Sequence, residues 1–159
     1  MGPLSDLKGR RLTTVLACLH YALGALLCAL APGVWLLVVG RVLLGVGRGL
    51  HASADIFISE MAPSPLRGRY SQILQIVVPL GSVVGCLLPV LLEGQWRLLF
   101  LVTVLPPLLE LAGLLCFPES PQWLFKEGRR AEALAALRLS YTESPEAQAE
   151  LSHEVELME

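Results

Sequence analysis

The sequence predicts an all-α membrane protein with four transmembrane helices followed by short cytoplasmic helices. Three observations predict it. The chain is 54% hydrophobic and only 16% charged, whereas a water-soluble domain carries about 25% charged residues. Its charges fall in blocks, leaving apolar runs long enough to cross a bilayer core of about 30 Å. Its lysines and arginines outside those runs gather in every second connecting segment, on one side of them. High hydrophobicity excludes a disordered chain, and a net charge of −2 offers no basic field for nucleic acid.

The elements follow in chain order. Residues 1–11 form a polar loop ending in Lys8, Arg10 and Arg11. Residues 12–31 hold 20 residues with no charge unless His20 is protonated. The basic lead resembles a signal peptide, but the run is too long for a signal core and three more spans follow, so no cleavage is expected. Residues 34–58 are as long but carry Arg41, Arg48, His51 and Asp55, between turn signals at Ala31-Pro32-Gly33 and Ala62-Pro63-Ser64-Pro65. Residues 71–92 carry no charge over 22 positions, and residues 98–117 carry only Glu110. The four-span region thus occupies 12–120. Residues 121–159 form a polar tail with helical spacing in Ala131, Leu134 and Leu137, a cap-like Ser144, and then Leu151 and Val155.

Nine basic residues lie before the first span, between the second and third, and after the fourth; Arg97 alone lies on the other side. Positive charge is retained in the cytoplasm, so both termini and the middle loop are expected there. Cys18, Cys28, Cys86 and Cys116 all sit in apolar runs without CxxC spacing, so they read as small buried or lipid-facing residues. No phosphate loop, nucleophile elbow or zinc motif appears, and neither an enzyme nor a cofactor is implied. Gly45-Val46-Gly47-Arg48-Gly49 superficially resembles a dinucleotide loop, but no strand precedes it. Gly45 with Gly49, and Gly81 with Gly85, are instead expected to let helices approach closely.

Four segments resemble the sugar porter family of the major facilitator superfamily. Gly2-Pro3-Leu4-Ser5-Asp6-Leu7-Lys8-Gly9-Arg10-Arg11 has the GxxxDxxGRR pattern of the loop between helices 2 and 3. Gly40-Arg41, then Ile58-Ser59-Glu60-Met61-Ala62-Pro63 and Leu66-Arg67-Gly68, are similar to helix 4 and its following loop. Trp96-Arg97 opens a span ending in Pro118-Glu119-Ser120-Pro121-Gln122-Trp123-Leu124, with Gly128-Arg129 and Glu132-Ala133 beyond, similar to PESPRWL and GRxxEA. The resemblance implies a partial major facilitator fold, from the helix 2–3 loop through helix 6 into the central cytoplasmic segment. It further implies alternating-access transport of a sugar or polyol, either as a uniporter or coupled to protons. A complete fold has twelve spans. The first two and the second half have no counterpart here, so the chain is expected to be a fragment, a gene-model artefact or a short isoform, and to transport nothing alone.

Asp6, Arg10, Arg11, Glu60, Arg67 and Glu119 fall at cytoplasmic helix ends. They are expected to pair between helices and latch the cytoplasmic side in one state; the alternative is weak surface pairing that keeps loops soluble. By resemblance, Arg41 matches the arginine that faces an acidic residue of helix 1 in proton-coupled members. Gln75 matches a helix 5 glutamine that contacts sugar, and an amide both donates to and accepts from hydroxyls. Gln72, one turn earlier, is a weaker candidate. The sequence departs from the family at Arg48, Asp55 and Gln122. Arg48, His51 and Asp55 stand at i, i+3 and i+7, one helix face over about 10 Å, and make either a buried relay or a structural charge pair. With Glu110 they are the intramembrane ionisable residues. Two further readings stay open: an organic-ion transporter of the same superfamily, which Arg48 and Asp55 would suit, and a truncated, non-transporting scaffold or regulator bound to a full-length relative.

Overall fold

The computed structural model describes residues 3–62 and 67–140. Eight helices and no strand occur among the described residues: α1 (Pro3–Lys8), α2 (Arg10–Leu30), α3 (Val34–Met61), α4 (Arg67–Leu91), α5 (Trp96–Thr103), α6 (Leu105–Leu115), α7 (Pro121–Lys126) and α8 (Arg130–Ser140). Four segments are long and apolar enough to cross a membrane: Arg10–Leu30, Val34–Met61, Gln72–Leu91 and Trp96–Leu115. The helix expected after Ser144 lies outside the described residues.

The fourth span is built from two helices, not one, and the cause is local. Pro106 and Pro107 lack backbone N–H groups, so the carbonyls one turn earlier lose their intrahelical donors. The ladder tightens at this point, with Val104 donating to the Leu101 carbonyl at 3.2 Å. α4 also carries two prolines, Pro79 and Pro89, yet runs unbroken.

α2 packs along α3, and α5 and α6 also lie against it. Its buried face is made of small side chains at helical spacing: Thr14, Ala17, Cys18, Ala25 and Cys28. The close approach rests on Gly24 and Gly40. A Cβ on Gly24 would stand 2.8 Å from the Gly40 carbonyl oxygen, and one on Gly40 would stand 2.6 Å from Cys28 Sγ. Gly47, two turns beyond Gly40, is less tightly placed, with a Cβ there 3.2 Å from the Tyr21 nitrogen and 3.3 Å from the Ala17 carbonyl oxygen. Gly45, Gly49, Gly81 and Gly85 are not such contact points among the described residues, where an added Cβ would meet nothing within 4 Å. Four-residue spacing marks a potential packing face; which face meets a neighbour is set by the partner helix. All four cysteines are free, with Cys18 and Cys28 buried and Cys86 and Cys116 exposed.

α4 stands nearly alone, touching α3 and α5 sparsely, with none of its apolar window buried. α7 and α8 form a small unit below the spans. Ser120 caps α7 by accepting from the Trp123 N–H, Pro121 takes its first turn, and Leu124 packs on Ala133 and Ala136.

Candidate functional site

The predicted charge set gathers where α1, α2, α3 and the α6–α7 junction meet. The α1–α2 corner turns at Gly9, whose φ of +97° strains any side chain. The turn delivers Arg10 into a buried position, 9% exposed. Its Nη1 donates to Asp6 Oδ1 at 2.6 Å and to the Ser5 hydroxyl. Its Nε faces Glu60 Oε1 at 3.4 Å, an ion pair without a hydrogen bond. Glu60, 8% exposed, is held from its other oxygen by the hydroxyl of Ser120, which is fully buried. The hydrogen bond from the Arg10 guanidinium also holds the Asp6 carboxyl below its ordinary value.

Glu119 does a different job from the one its charge suggests. Its Oε1 accepts from the backbone N–H of Arg11 at 2.8 Å and from that of Ser120 at 3.1 Å. It therefore caps the first turn of α2, where free N–H groups and the helix dipole favour an anion. A Cβ on Gly9 would stand 2.6 Å from Glu119 Oε2, so the glycine serves both the turn and the carboxylate's approach. Among the described residues, the Arg11 guanidinium pairs with no carboxylate. Its Nε and Nη2 donate to the Leu114 and Leu115 carbonyls at 3.2 Å each, closing the C-terminal end of α6, where a cation suits the dipole. Trp123 Nε1 donates to the Asp6 carbonyl at 3.1 Å and ties α7 to α1. The side chain of Arg67 lies outside the described residues.

Ser5, Gly9, Ser120 and Trp123 were not singled out from sequence. Ser120 alone carried a signal: serine just before a proline-led turn is a helix cap.

The intramembrane set divides. His51 Nε2 lies 3.0 and 3.1 Å from the two oxygens of Glu110, linking α3 to α6, with the Tyr21 ring edge-on at 5.9 Å. Arg48 and Asp55 are exposed, and among the described residues no ion pair joins them. The relay along one face of α3 is thus replaced by a pairing across helices. Sequence spacing sees only contacts within a helix, and Glu110 lies 59 residues from His51. Arg41 lies 5.0 Å over the Phe100 ring. Gln72 and Gln75 are both exposed on α4, apart from the other groups.

Four apolar spans with a buried charge network at one end mark a multi-pass membrane protein. The chain belongs to the family described as sugar (and other) transporter, whose profile matches residues 1–159. It is 35% identical over 144 residues to plastidic glucose transporter 4 of Arabidopsis thaliana, covering 88% of this chain and 26% of that protein. It is also 35% identical over 145 residues to probable inositol transporter 2 of Arabidopsis thaliana, covering 89% and 25%. Among solved structures it resembles the partially occluded, inward-open xylose transporter XylE from E. coli. There the TM-score is 0.75 and the identity 24%, over 96% of this chain and 42% of the other. The chain thus spans about a quarter of the length of the curated relatives it matches.

Proposed function

We propose that this chain is part of a sugar or polyol carrier that works by alternating access, its termini and its 63–66 loop on the cytoplasmic side. The observation that carries this reading is the buried network around Arg10. It joins the first two spans, α1 and the segment after the fourth span at the end where the basic residues gather, the place for a latch that holds one state and breaks in the other. Such a latch needs only a few kcal/mol in total to shift the population. Relatives named for glucose and inositol support the substrate class. Gln75, with Gln72 one turn away, is the candidate for hydroxyl recognition; its exposure on a sparsely packed α4 suits a helix face that meets substrate. Arg41 is the proton-coupling candidate, and its exposed position leaves it open to an acidic partner from another span.

The test is uptake into proteoliposomes by a complete carrier containing this segment, with labelled glucose, myo-inositol and an organic cation compared. Uptake of a sugar or polyol alone supports the reading; uptake of the cation alone overturns it. Arg41→Gln should abolish any dependence on a proton gradient while exchange of substrate persists.

A further inference from the structure

A cavity of about 460 Å³ lies between α3 and α6, within the range of small-ligand sites. It is independent of the charge network described above. α3 contributes Ala54, Phe57 and Met61, α6 contributes Glu110 and Gly113, and Leu139 of α8 closes the mouth. Among the described residues, every lining side chain is apolar except that of Glu110. His51 pairs with Glu110 but does not line the cavity, so the carboxylate has two faces, one toward the imidazole and one toward the empty space. The Cys18 thiol also hydrogen-bonds the carboxylate; with one ring N–H and one weak S–H donor on two oxygens of about four lone-pair sites, acceptor capacity remains. The Glu110 side chain is 36% exposed, so a ligand can reach it.

We propose that this cavity binds a compact lipophilic amine, its ammonium against Glu110 and its apolar body among Phe57, Met61 and Leu114. An anion in apolar surroundings is stabilised by a cation brought to it, and among the described lining residues no other side chain offers a polar body a partner. The position of the carboxylate selects the class of amine. Glu110 lies five residues inside the end of α6, about 7 Å at helical rise. A phospholipid amine stays at the headgroup plane and would have to sink below it, whereas a small amine enters head first.

The test uses the full chain in phosphatidylcholine nanodiscs and a dodecylamine bearing a diazirine, with labelled peptides mapped by mass spectrometry. Label is expected on α3 and α6, displaced by unlabelled dodecylamine at a concentration at least about tenfold lower than by dodecanol. Glu110→Gln should erase that preference while some label persists. Gly113→Leu should erase the label itself: a Cβ there meets open space, so the side chain fills the cavity without a clash. Equal displacement by amine and alcohol on the unsubstituted chain, which needs no variant to fold, overturns the proposal. So does full labelling of a folded Gly113→Leu chain, or protection by phosphatidylethanolamine in place of the free amine.

Discussion

Removing the carboxylate of Glu60 is the sharpest test of the charge network. Glu60→Ala takes one anion from a buried Arg10, leaving its Nε without a counter-charge, and strands the Ser120 hydroxyl where no water reaches it. Breaking a buried ion pair costs about 3–5 kcal/mol when nothing compensates. Arg10 keeps Asp6 at 2.6 Å, so the lower figure of about 3 kcal/mol applies. For a chain of this size that corresponds to a fall in Tm of about 5–10 °C. The internal control is Arg129–Glu132. That pair is as short, 2.6 Å, but its side chains are 51% and 57% exposed, and solvent leaves it about 0–1 kcal/mol. Glu132→Ala should therefore move Tm by less than about 3 °C. Thermal unfolding in detergent, followed by circular dichroism, measures both. Combining Glu60→Ala with Arg10→Met should recover part of the loss, a coupling of about 1–3 kcal/mol, since the stranded charge leaves with its partner. A Glu60→Ala shift no larger than that of Glu132→Ala, or strict additivity in the cycle, would refute the reasoning.

The Asp6 carboxyl is held below its ordinary value of 3.8 by the Arg10 hydrogen bond, so its contribution is complete above that value and lost as pH falls through the lower folded-state value; Asp6→Asn should flatten Tm against pH below about 4. In a complete carrier, Gln75→Ala should weaken sugar affinity a few-fold to about tenfold, the worth of one hydrogen bond, with Tm unchanged because the side chain is exposed; unchanged affinity would remove Gln75 from the site. His51→Ala and Glu110→Ala should be coupled by about 0.5–3 kcal/mol in a thermal-unfolding cycle, whereas Arg48→Gln and Asp55→Asn, joined by no ion pair, should add. Tags at Met1, Ser64 and Glu159 should be reached only from the cytoplasmic side and one at Gly94 only from outside, as membrane-impermeant labelling would show.

Much of the candidate site was legible as types of residue at places. Asp6, Arg10, Glu60 and Glu119 could be placed at one end of the spans because span length and basic-residue alternation order the chain across a bilayer. What each carboxylate would meet was not legible. Glu119 reads as the partner of an arginine, yet it caps α2 through backbone N–H groups 108 residues away. Arg11 reads as the partner of a carboxylate, yet it seals the carbonyls of α6.

By itself the sequence determined the solvent, the number of spans, their order and the end at which charge collects, since each depends on local hydropathy or on charge counted loop by loop. The break between α5 and α6 has a local cause as well, two successive prolines that remove donors, although residues 98–117 read as one span. Only the tertiary structure decided which glycines are contact points and which groups pair. Gly24 meets Gly40 while Gly45 meets nothing, and His51 turns from Arg48 and Asp55 on its own helix to Glu110 on another. The physical reason is the same in both cases. A helix offers several faces of similar composition, and the partner helix selects among them through contacts between residues far apart in the chain, which no local pattern records.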